Sequence, residues 1–168
     1  MLLDAKKMAL SGLLAAFSVV LMYLSSLVET SSLFFIAAAS FCVGIVIQKC
    51  GLAWGGGFYV ASMLLNFFLA PNKMYCITLA AMGLYILLTE WLWKKIADAE
   101  VMVNRNQKLW IGKYVIFNLI YIPILWLTKE IMSINVFTLW AAGQVGIFVF
   151  DYAYRYFQRR VKETFKFL

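Results

Sequence analysis

The segment MALSGLLAAFSVVLMYLSSLV, Met8–Val28, carries no charged side chain from end to end. A helix rises 1.5 Å per residue, so about 20 apolar residues cross the ~30 Å hydrocarbon core of a bilayer. The segment follows Lys6 and Lys7, as the apolar part of a signal peptide would. Its run exceeds the roughly 7–15 residues of such a region, however, and no small-x-small cleavage site follows. It therefore reads as a retained transmembrane helix, and the same length criterion finds five more: Leu33–Ile47, Leu52–Ala70, Met74–Trp93, Leu109–Leu127 and Val136–Phe157. The second is short and needs less tilt or residues from its flanks. The connections are short, except for the polar stretch Lys94–Lys108. The expected fold is an all-α integral membrane protein, one six-transmembrane-helix bundle over residues 1–168.

The composition agrees. Of 168 residues, 64% are apolar and 14% charged, whereas soluble domains carry about 25% charge. A chain this short cannot hide so much apolar surface inside a water-facing globule. That argues against a soluble enzyme, a disordered tail and a disulfide scaffold. The net charge of +7 matches an anionic membrane surface, with no nucleic acid needed as partner.

Orientation follows from the basic residues, which favour the cytoplasmic side. With the N-terminus inside, that side collects Lys6, Lys7, Lys49, Lys94, Lys95, Arg105, Lys108, Lys113, Arg155, Arg159, Arg160, Lys162 and Lys166; Lys73 and Lys129 fall outside. The asymmetry holds only if all six spans are real, because dropping one scrambles every later loop. Trp54, Trp91, Trp93 and Trp110 then lie at inner helix ends, and Trp126 and Trp140 near outer ends, as an interfacial aromatic belt requires. Both termini are expected in the cytoplasm, and the chain in the cell membrane.

The chemistry is sparse. There is no histidine, which removes the commonest catalytic base and metal ligand. Cys42, Cys50 and Cys76 form neither a disulfide framework nor a metal signature and read as packed free thiols. No GxxxxGK[ST], HExxH or GxSxG motif occurs. The expectation is no enzyme, no cofactor and no bound metal, and any uphill transport must draw its energy from a partner or an ion gradient.

Three sets of residues remain. Small residues let helices approach closely in lipid: Ser11, Gly12, Ala15 and Ala16 form overlapping small-xxx-small pairs on helix one, Gly51 and Gly55 open helix three, and Ala142 and Gly146 lie on helix six. For helix one the stripe is a candidate partner-docking face. Glu90, Lys113, Asp151 and Arg155 lie in the inner halves of the spans and sum to zero charge, the pattern of a structural ion-pair cluster joining helices four to six. Toward the outer face stand Asn66, Asn72, Lys73, Tyr75, Asn118, Tyr121, Trp140 and Gln144, with Trp126 and the loop Lys129–Asn135 nearby. Aromatic walls with a few directional polar groups are the ingredients of a small-molecule pocket, although any one amide also serves by bonding a neighbouring helix.

A chain of this size with six helices, both ends inside, and the start Met8-Ala-Leu-Ser-Gly-Leu-Leu-Ala-Ala16 resembles the substrate-binding S components of energy-coupling factor (ECF) transporters. The resemblance implies a membrane subunit that captures a vitamin-like micronutrient near the outer face. It also implies docking through the helix-one stripe, here Ser11/Ala15 and Gly12/Ala16, on a T component coupled to two ATPases. By position, the loops that form the family's binding site carry Glu29 and Thr30, Asn72 and Lys73, and Lys129 to Asn135. No signature for riboflavin, thiamine, biotin or folate is present. The alternative is a non-transporting scaffold, similar in size and topology to a rod-shape-determining membrane protein family.

Overall fold

A computed structural model describes residues 2–98, 105–128 and 136–164. It is built from six helices: α1 (Leu2–Leu27), α2 (Ser32–Cys50), α3 (Leu52–Leu69), α4 (Lys73–Asp98), α5 (Arg105–Thr128) and α6 (Val136–Thr164), with a 3-10 turn at Glu29–Ser31 between α1 and α2. The described residues contain no strand. Each expected helix is present, and most run past their apolar cores. α1 takes in Lys6 and Lys7, α4 continues through Lys94 and Lys95, and α6 extends through Arg159 and Lys162. Backbone hydrogen bonding does not stop where hydropathy falls, so periodicity locates the core of a helix better than its ends. The second helix, expected to be short, gains residues on both flanks and reaches 19.

Among the described residues, five helices are long and apolar enough to cross a membrane: Asp4–Leu27, Glu29–Cys50, Leu52–Leu69, Lys73–Ala97 and Gln107–Trp126. α6 carries Gln144, Asp151 and Arg155 within its run. Much of the outside is large and hydrophobic. Leu13, Phe34, Phe68, Leu119 and Phe137 are all at least 70% exposed, and surface of that kind calls for lipid or a partner to cover it.

The chain divides into two compact units, Met1–Trp91 and Leu92–Leu168, with the boundary inside α4. In the first, α1, α2 and α3 pack together around Leu21, Met22, Ile36, Ala39, Ala70, Cys76 and Leu79. A seam of serines runs through it: Ser18, Ser25, Ser40 and Ser62 are all buried. Ser25 and Ser40 donate back to the carbonyls of Met22 and Ala37, each at 2.7 Å, so their hydroxyls are satisfied within their own helices. α1 meets α3 through two side-chain bonds, Trp54 Nε1 to Ser11 Oγ at 3.0 Å and Asn66 Nδ2 to Ser18 Oγ at 2.9 Å. Residue numbers rise together across these bonds, so α1 and α3 run parallel.

The expected GxxxG pair at the start of helix three divides its labour. Gly51 alone joins α2 to α3. Its φ of +95° is strained for any residue with a Cβ, and its N–H closes the last turn of α2 on the Ile47 carbonyl at 2.9 Å. Gly55 is buried, and a Cβ there would overlap Ile47, so its missing side chain sets the α2–α3 distance. On the other flank of α3, Tyr59 donates to the Ala80 carbonyl at 3.0 Å and lies over Gly83.

In the second unit α5 and α6 run antiparallel, with Tyr121 opposite Leu139 and Lys113 opposite Asp151. Gly112 receives the side chain of Leu92 from the end of α4, and Gly143 receives the ring of Tyr121. Pro123 lies inside α5 and removes one backbone donor, leaving the Leu119 carbonyl without its usual intrahelical partner.

Candidate functional site

The second unit holds a polar group between aromatic rings. Asn118 fastens itself to its own helix, Nδ2 donating to the Tyr114 carbonyl at 2.9 Å. Its Oδ1 faces α6 and accepts from Trp140 Nε1 at 3.3 Å and Gln144 Nε2 at 3.0 Å. Trp140 and Gln144 stand four apart on α6, so one helix face presents both to a single acceptor. One turn along α5, Tyr121 donates to the Leu139 carbonyl at 2.8 Å and stacks on Phe117 at 5.0 Å. Asn118, Tyr121, Trp140 and Gln144 are thus brought together where α5 faces α6. Their donors are used, but Gln144 Oε1 is buried with no hydrogen-bond partner among the described residues. A buried acceptor left unmade costs about 1–3 kcal/mol, so a donor brought to this oxygen is favoured.

The other four residues read as outer-face groups lie in the first unit. Asn66 is fully buried. Its Nδ2 bonds Ser18 Oγ and the Ser62 carbonyl, the latter at 2.8 Å, while its Oδ1 takes no bond among the described residues. Asn72 Oδ1 accepts from the Met74 N–H at 3.0 Å, shaping the entry to α4. Lys73 Nζ donates to the Phe67 carbonyl and, at 3.2 Å, to that of Ala70, closing the C-terminal end of α3 as a cation does best. Tyr75 is half-buried against the core cluster. Lys129, Glu130 and Asn135 lie outside the described residues.

Three of the four expected charges form one constellation. Asp151 is 2% exposed. Lys113 Nζ reaches its Oδ1 at 2.6 Å from α5, and Arg155 Nη2 its Oδ2 at 2.7 Å from the next turn of α6. Glu90 is half-buried on α4, in the first unit. Trp110, placed in the interfacial belt by sequence, also braces these cations. Its ring lies 4.9 Å from Arg155 Cζ and 5.9 Å from Lys113 Nζ, and it stacks on Phe148 at 5.6 Å. The i, i+3 spacing of Trp110 and Lys113 was the available signal.

The helix-one stripe splits in two. Ser11 is turned inward to Trp54 and Ala15 is half-buried, whereas Gly12 and Ala16 are exposed. A Cβ on Gly12 would meet nothing within 4 Å. Ser18, which the small-residue pattern did not single out, holds Asn66 from α1. It lies seven residues after Ser11, two helical turns along, and so continues the same inward line. No group of three or more His, Cys, Asp or Glu able to hold a metal occurs among the described residues. No protein family, curated protein or solved structure matches the chain.

Proposed function

We propose that the chain is a multi-pass, non-catalytic membrane subunit of six spans, both termini cytoplasmic, that captures a vitamin-like micronutrient from outside and hands it to an energy-coupled partner through the exposed side of α1. The observation that carries this reading is the Asn118–Trp140–Gln144 group. It combines aromatic surfaces with an amide whose Oε1 is buried and without a hydrogen-bond partner, and a ligand N–H or O–H supplies what that oxygen lacks. The resemblance to S components supplies the partner class, a T component with two ATPases. The exposed Gly12 and Ala16 leave room for a partner's helix.

The test is purification from a prokaryotic host, with co-purifying small molecules and subunits identified by mass spectrometry. Wild type is expected to carry a small polar organic ligand, and Gln144→Leu to retain it about tenfold less, the value of one hydrogen bond. Identical ligand content in the variant, or none in either, would sink the capture reading.

The second reading is a non-transporting scaffold. It draws support from the first unit, where Asn72 and Lys73 are engaged within the protein. Recovery of stoichiometric membrane proteins without any small molecule would favour it.

A further inference from the structure

The stripe Phe148, Tyr152, Arg155, Arg159 and Lys162 follows 4, 3, 4 and 3 residue steps along α6, so the five side chains share one helical face. Phe148 and Tyr152 are exposed, at 51% and 71%, and Arg155, Arg159 and Lys162 are exposed beyond them. The face passes from aromatic to cationic in the direction that leads out of the apolar run. No carboxylate interrupts it. Asp151 faces Lys113 and Arg155, and Glu163 lies 3.7 Å from Arg160. The Arg155 guanidinium is positioned before anything binds: Nη2 is on Asp151, Nε is 3.4 Å from the Asp151 carbonyl, and its plane lies over Trp110. Half of that side chain stays exposed, and no described residue bonds its Nη1. Lys113 and Arg155 outweigh Asp151 by one positive charge, so the constellation remains short of an anion.

We propose that this face of α6 binds the phosphate of an anionic phospholipid, with Arg155 as the fixed donor, Arg159 and Lys162 as the surrounding cations, and Phe148 and Tyr152 lying along the acyl chains. Guanidinium geometry suits phosphate oxygens, and aromatic residues adjoining cations are the arrangement found where membrane meets water. The apolar half of the stripe identifies the source as a lipid, since a free phosphate has no use for it. The inference rests on membrane insertion and is independent of whether the chain transports anything.

The test uses the purified full chain in nanodiscs of phosphatidylcholine doped with phosphatidylglycerol, reading lipid enrichment around the protein by mass spectrometry after mild extraction. Phosphatidylglycerol is expected to be enriched, with about fivefold loss for each exposed cation removed, in Arg159→Gln and in Lys162→Gln. Both positions are exposed, so folding is preserved where Arg155→Gln disturbs the ion pair. The control is the pair Lys94→Gln and Lys95→Gln on α4, expected to leave enrichment unchanged. An equal fall in the control means a diffuse field of charge and overturns the site. Displacement of the lipid by inorganic phosphate at the concentration of competing headgroup means a free-anion site and overturns the lipid assignment. Absence of enrichment in wild type overturns both.

Discussion

Asp151 shows what a single buried charge does in this chain. It lies between cations from two helices, and Asp151→Asn leaves Lys113 and Arg155 facing a neutral amide. Removing one partner of a buried pair costs about 3 kcal/mol or more. The expected outcome is a clear fall in melting temperature in detergent. Replacing Asp151 and Lys113 together by Leu restores part of that stability, because the more buried cation goes with the carboxylate and only Arg155, half exposed, is left without its partner. A double variant no more stable than Asp151→Asn would remove the ion pair from the account. The Asp151–Arg155 pair was legible in sequence from its i, i+4 spacing, whereas depth alone does not choose between Asp151 and Glu90 as the partner of Lys113. The part played by Trp110 was not legible, because an indole near a helix end has an equally good reason to be there in the interfacial belt.

At the scale of the element, α1 carries two faces that the small-xxx-small pattern did not separate. Successive residues turn by about 100°, so Ser11 and Ser18 reach α3 while Gly12 and Ala16 look away from it. The pattern identified the helix but not the side, because small residues serve internal packing and external docking by the same close approach. Gly12→Leu tests the outward face. Gly12 is exposed and an added Cβ meets nothing within 4 Å, and the change gains up to about 1 kcal/mol of helix propensity, so the folded protein is expected to stay at least as stable. Under the capture reading it loses association with its T component in co-purification. Normal association would place the docking surface elsewhere. The glycines of α3 differ in the opposite way: Gly51 and Gly55, alike in spacing, do unrelated work, one by its left-handed φ and the other by the room it leaves Ile47.

For the whole molecule, the helical class and five apolar spans were written in the hydropathy. The sixth helix was found by the same pattern, although it carries Gln144, Asp151 and Arg155. A helix with such residues depends on neighbours to accommodate them, and hydropathy records the cost without the compensation. The side on which each end of the bundle lies is testable by single cysteines introduced at Lys73 and at Lys94 in a chain lacking its own three. With both termini inside, an impermeant thiol reagent applied to intact cells labels Lys73→Cys and spares Lys94→Cys. The reverse pattern inverts the topology and places the Asn118–Trp140–Gln144 group at the cytoplasmic face.

Gly51 carries a consequence for biogenesis. Between Cys50 and Leu52 there is a single residue, which spans less than ~4 Å even when extended. If both cross a bilayer, α2 and α3 have no slack with which to enter it one after the other, so the expected mode of insertion is as one hairpin.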